Sequence, residues 1–132
     1  MDSEIKVLVV DDDDVILFLH DLMIRDSGLS QDVTCFLTAR AALDHLAAHR
    51  SGDDQFLVLL DINMPGINGW QFLEILAEAP YRDSVSVVLV TSSIDYADHQ
   101  KAQGFAAVVE YVEKPLTLEI CRRIREAIHK DT

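Results

Sequence analysis

Four aliphatic runs in this chain end in polar residues able to do chemistry. VLVV ends in Asp11 and Asp12, with Asp13 and Asp14 behind them. FLVLL ends in Asp61, followed by Ile62-Asn63-Met64-Pro65-Gly66. VSVVLV ends in Thr91-Ser92-Ser93, and VVEYV leads into Glu113, Lys114 and Pro115. Carboxylates crowded at the edge of an apolar core repel one another and lose hydration. A hard divalent cation offsets that cost. Mg²⁺ takes oxygen ligands, keeps several waters, and is typically held by one or two carboxylates plus a phosphate; Mn²⁺ is the alternative ion. A carboxylate can also be the nucleophile of phosphoryl transfer, with the metal and an ammonium neutralising the equatorial oxygens. Asp11, Asp12 and Asp61 are therefore the candidate metal and phosphoryl site, with Thr91 and Lys114 beside it. Asp13 and Asp14 fall where a helix begins, and there they read as capping residues.

Convergence of these residues requires a particular fold. Strand-like runs span Ile5–Val10, Val33–Leu37, Phe56–Leu60, Val85–Val90 and Ala106–Val112. The first, third and fourth are nearly continuous Val, Ile and Leu, the pattern of parallel strands buried on both faces. Helical periodicity fills the gaps: Ala39, Ala42, Leu43, Leu46 and Ala47 behind a Thr38 cap, then Phe72, Leu73 and Leu76, then Ile120, Ile124, Ala127 and Ile128. Gly28, Gly52 and Gly104 stand where helices should stop. Five β-α units imply an α/β domain with a parallel sheet and helices on both faces. Strand order 2-1-3-4-5 places the ends of the first and third strands side by side at the switch point.

Composition excludes several functions. The chain has 132 residues, 11 basic against 23 acidic, for a formal charge of −12. Such a chain lacks the basic footprint that nucleic acid or an anionic membrane surface demands. No apolar run approaches the ~20 residues of a bilayer span. The first residues, MDSEIK, do not read as a signal peptide, so the default address is cytoplasmic. Cys35 and Cys121 lie in apolar stretches without CxxC spacing and read as reduced core residues. His20, His45, His49, His99 and His129 share no metal-ligand spacing and read as surface or helix-packing residues. The segment Val15 to Ile24 carries more apolar residues than one helical face can hide.

VVDD, LLDINMPG, VTSS and EKPL, in this order and spacing, resemble the receiver domain of two-component response regulators. The resemblance covers essentially the whole chain and implies the flavodoxin-like (βα)5 fold. It implies transfer of a phosphoryl group from a sensor histidine kinase, or a histidine phosphotransfer protein, onto Asp61. Position by position it implies that Asp12 is a direct metal ligand and Asp11 its partner. It gives the Asn63 backbone carbonyl a place in the metal shell. Thr91 would follow the phosphoryl group, Lys114 would pair with it, and Tyr111 would be the switch aromatic. Ser92, Ser93 and the Asn63 side chain lie where such domains tune dephosphorylation, and Lys114–Pro115 should be cis. The apolar first helix then reads as a kinase-docking surface, with a homodimer as its competing use. No output domain is read from 1–132, so signalling to an unidentified downstream protein would run through protein contact or relay. Two departures stand out. Leu116 replaces the usual Phe, and GFAAVVEYVEKP is longer than the common pattern, which puts the register of the last strand in question. A haloacid-dehalogenase-type phosphatase would need a second acid at position 63, where this chain has Asn. A flavodoxin would need a phosphate loop after the first strand, where this chain has aspartates.

Overall fold

The computed structural model describes residues 4–49, 54–92 and 95–129. The elements follow in alternation: β1 (Lys6–Val10), α1 (Asp14–Ser27), β2 (Val33–Phe36), α2 (Ala39–Ala48), β3 (Phe56–Asp61), α3 (Gly69–Ala77), β4 (Val85–Thr91), α4 (Tyr96–Ala102), β5 (Val108–Glu113) and α5 (Leu118–Ile128). All neighbouring strands pair in parallel, and their order is β2-β1-β3-β4-β5.

Side chains alternate across the strands, so each central strand feeds two cores. Leu8, Val10, Val58, Leu60, Val87 and Leu89 face α2, α3 and Ala102 of α4. Val7, Val9, Leu57, Leu59, Val88 and Val90 face Leu17 and Ile24 of α1 and Cys121 and Ile124 of α5. Helix ends follow local chemistry. The Asp13 carboxylate accepts from the Val15 and Ile16 amides, at 2.9 and 3.4 Å. Asn68 and Gln71 form a reciprocal capping box ahead of α3. Gly28 ends α1 in the left-handed region at φ 80°. Gln103 caps the end of α4 and Gly104 follows it, and Gly52 lies outside the described residues.

Two readings need correction or completion. Cys121 is buried but Cys35 is exposed. Cys35 pairs in register with Val9 and so faces the α1 side, but β2 is the edge strand and the covering layer gives out there. The register of β5 is settled by a bulge. Val87 pairs with Val108 and Val88 with Glu110, so Val109 is the extra residue. Beyond the bulge, Tyr111 lies opposite Leu89 and Glu113 opposite Thr91.

The apolar excess of α1 is real. Leu17 and Ile24 are buried, whereas Val15, Phe18, Leu19 and Leu22 are exposed. The shortest α-helix among the described residues, α4, buries only Ala102. A His99–Tyr111 ring stack at 5.1 Å and Lys101 over the Trp70 ring at 4.6 Å tie it to its neighbours. Its amides should therefore open at about 2 kcal/mol or more below the global unfolding free energy, while the α1 amides track the global value. Native-state hydrogen exchange checks this, and equal protection of the two helices would contradict it.

Candidate functional site

Three strands deliver buried polar groups to the carboxyl edge of the sheet. Asp11 directly follows β1, Asp61 is the last residue of β3, and Thr91 is the last residue of β4; all three are at most 5% exposed. Asp12 is exposed, at the head of α1. The Asp11, Asp12 and Asp61 side chains each bring a carboxylate oxygen within 4.8 Å of the others. Adjacency of β1 and β3 creates this meeting, because the ladder that pairs Val10 with Leu60 carries the next residue of each strand to the same edge.

Lys114 enters from the far side. Its Nζ is 2.6 Å from Asp11 Oδ2 and 3.3 Å from Asp61 Oδ2. Its backbone amide donates to the Thr91 carbonyl at 2.7 Å, which fixes the segment after β5 against the end of β4. The Lys114–Pro115 bond is cis, as the family resemblance implied. The other carboxylate oxygens are held by backbone. Asp11 Oδ1 accepts from Asp13 N–H at 2.9 Å, and Asp61 Oδ1 accepts from Asn63 N–H at 3.1 Å.

Electrostatics follow from burial and these contacts. Burial pushes the Asp61 carboxyl above its ordinary pKa, against the opposing pull of Lys114 and the Asn63 amide. Burial alone would lower the Lys114 ammonium, but the Asp11 and Asp61 carboxylates outweigh it and hold it above the ordinary lysine value. Three carboxylates against one ammonium leave a surplus of two negative charges when all are ionised. A divalent cation with hard-oxygen preference matches both that surplus and the donor set.

The remaining expected residues divide. Asn63 and Ser92 are exposed at the rim, and Ser93 lies outside the described residues. Tyr111 is half-buried toward α4, stacked on His99, and its buried hydroxyl has no hydrogen-bond partner among the described residues. Two contributors carried a weaker signal. His20 was legible only as a histidine in register with Leu17 and Ile24; it is 2% exposed, and its Nε2 lies 3.3 Å from the Leu116 amide. Burial, and secondarily Lys114, lower its pKa to about 4 although Asp11 opposes. Gly69 is the first residue of α3. Its amide donates to the Ile62 carbonyl at 2.9 Å, docking α3 against the turn that follows Asp61.

Comparison with known proteins agrees with this geometry. The family profile described as "Response regulator receiver domain" matches residues 7–128. The chain is 35% identical over 115 residues to the two-component response regulator ARR22 of Arabidopsis thaliana, covering 86% of this chain and 75% of that protein. It is 27% identical over 122 residues to the transcriptional regulatory protein CitT of Halalkalibacterium halodurans, covering 92% of this chain but about half, 51%, of that protein. Among solved structures, a two-component response regulator from Cytophaga hutchinsonii superposes with a TM-score of 0.86 at 30% identity, covering 97% of this chain and 99% of that one. No helix among the described residues is long and apolar enough to cross a membrane.

Proposed function

The chain belongs to the response regulator receiver domain family of two-component signalling, and from that premise we propose that Asp61 is its phosphoacceptor. The single observation that carries the assignment is the placement of Asp61. It ends a buried strand, its two oxygens face the Asn63 amide and the Lys114 ammonium, and two further carboxylates converge on it. The donor is a phosphohistidine of a sensor histidine kinase or of a histidine phosphotransfer protein.

An Asp61 carboxylate oxygen forms the new bond to phosphorus with one of its lone pairs, and the phosphohistidine P–N bond breaks with its bonding pair staying on the departing imidazole nitrogen. Lys114 can follow the new charge, since its ammonium already touches Asp61 and Asp11. Asp11, Asp12, Asp61 and the Asn63 carbonyl would hold Mg²⁺, or Mn²⁺ in its place. Bound there, the ion supplies neutralisation of the carboxylates and of the incoming phosphoryl oxygens. Thr91 reads the product from the end of β4 and Tyr111 answers from β5, so that the α4–β5 surface changes population between two states. Catalysis is limited to its own phosphotransfer and the later hydrolysis, with Ser92, Ser93 and the Asn63 side chain setting the lifetime. The cytoplasm is the compartment in which such a donor is met. The exposed face of α1 is the docking surface for the donor's helices, in preference to a second copy of the chain; the downstream target is a protein. Labelling of Asp61 by a small phosphodonor, followed by intact mass, tests the assignment.

Metal affinity gives a second test. Few protein ligands compete with water, so Mg²⁺ should bind weakly, and Asp12→Ala should weaken it about tenfold or more, because that carboxylate has no substitute. Calorimetry with Mg²⁺, or Trp70 emission, reads the change. Unchanged affinity in Asp12→Ala removes Asp12 from the metal shell.

A further inference from the structure

The first helix carries one polar residue inside its buried stripe. Leu17, His20 and Ile24 face the core shared with α5, and His20 is 2% exposed. An imidazole in such surroundings is tolerated when its ring nitrogens are used. The Leu116 backbone amide can only donate, so at 3.3 Å the Nε2 of His20 is the acceptor and the ring proton sits on Nδ1. The lowered pKa, about 4, agrees with a neutral ring at physiological pH.

What this bond holds is the segment bearing Lys114. Residues 114–116 are fixed at two backbone points. Lys114 N–H donates to the Thr91 carbonyl on β4, and Leu116 N–H donates to His20 on α1. Leu116 is itself buried, 3% exposed, against the same core. Between these anchors the Lys114 side chain reaches Asp11 and Asp61. The helix supplying His20 is also the one whose head bears Asp12 and the capping Asp13. One hydrogen bond thus ties the carboxylate-bearing start of α1 to the lysine-bearing segment. Leucine at position 20 would fill similar volume but leave the Leu116 amide without this acceptor.

We propose that His20 is a positioning residue of the phosphoacceptor site, acting through Leu116 to set the Lys114 ammonium between Asp11 and Asp61. The proposal rests on the reading of Asp61 as phosphoacceptor and Lys114 as its partner. The test compares the full chain with His20→Leu and His20→Gln, using acetyl phosphate and saturating Mg²⁺. His20→Leu should slow labelling about tenfold, while His20→Gln, whose side-chain carbonyl can accept from Leu116 N–H, should stay within about threefold of wild type. A role in packing alone would not favour glutamine over leucine. In the wild type, long-range ¹H–¹⁵N spectra at neutral pH should show Nε2 unprotonated and coupled to the Leu116 amide. A proton on Nε2, wild-type labelling in His20→Leu, or a glutamine variant as slow as the leucine one overturns the proposal. If His20→Leu does not fold, the wild-type spectrum decides. A wild type that never accepts a phosphoryl group counts against the Asp61 assignment instead, and the spectrum still judges the hydrogen bond.

Discussion

Incubated with Mg²⁺ and acetyl phosphate, the wild-type chain should gain the mass of one phosphoryl group, and Asp61→Asn should gain none. The asparagine keeps the shape and one carbonyl oxygen, so the Asn63 amide at 3.1 Å keeps an acceptor. It has no carboxylate oxygen to form the bond to phosphorus. Folding should survive. Asp61 is 5% exposed, and its ionised form is disfavoured by burial. A neutral amide therefore relieves a cost while giving up the weaker of the two Lys114 contacts, 3.3 Å against 2.6 Å at Asp11. These terms oppose each other, and the net change in stability should be within about 1 kcal/mol. Intact mass and a denaturant melt on the same samples decide the matter. A wild type left unlabelled by a competent donor, or Asp61→Asn labelled to the same extent, would show that the acceptor is not this carboxylate.

The meeting of polar residues at the sheet edge was legible because it depends on two strong signals. Buried parallel strands read as continuous Val, Ile and Leu, and the polar residue that ends each run marks the edge where ligands bind. Asp11, Asp61, Thr91 and Lys114 all fall there. The apolar excess of α1 was legible for a similar reason, since a helix has one buried stripe and Val15, Phe18, Leu19 and Leu22 do not fit on it with Leu17 and Ile24. What stayed hidden depends on contacts between distant residues. The Val109 bulge belongs to the pairing of β5 with β4, and the sequence shows only that the stretch before Lys114 is long. Cys35 sits in an apolar run, but its exposure depends on β2 being the edge strand. His20 and Leu116 are 96 residues apart, and only the packing of α1 against the α5 side of the sheet brings them together.

Gly69→Ala separates local propensity from tertiary contact by the sign of its effect. At the first position of α3, alanine should stabilise the helix by up to about 1 kcal/mol over glycine. A Cβ there would lie 2.9 Å from Ile62 Cα and 3.1 Å from the Asp61 carbonyl oxygen. Both are backbone atoms, which no rotamer change can move aside. Either the first turn of α3 or the turn after Asp61 must shift, at a cost of about 1–3 kcal/mol, so the net effect is destabilising. The strained atoms belong to Asp61, the proposed phosphoacceptor, and to the residue before Asn63, whose amide orients Asp61. A shift of a few tenths of an ångström there should also slow labelling about tenfold. Gly28→Ala provides the contrast. Its φ of 80° makes alanine strained, but no atom lies within 4 Å of the added Cβ. It should lose about 1–2 kcal/mol of stability with labelling intact. Gly104→Ala, whose nearest contact is the Lys101 carbonyl at 3.3 Å, should disturb labelling no more. Chemical denaturation and initial labelling rates on the three variants check the ordering. If Gly69→Ala proves at least as stable as wild type and labels at the wild-type rate, the close approach of α3 to the Asp61 turn does not set the geometry of the site.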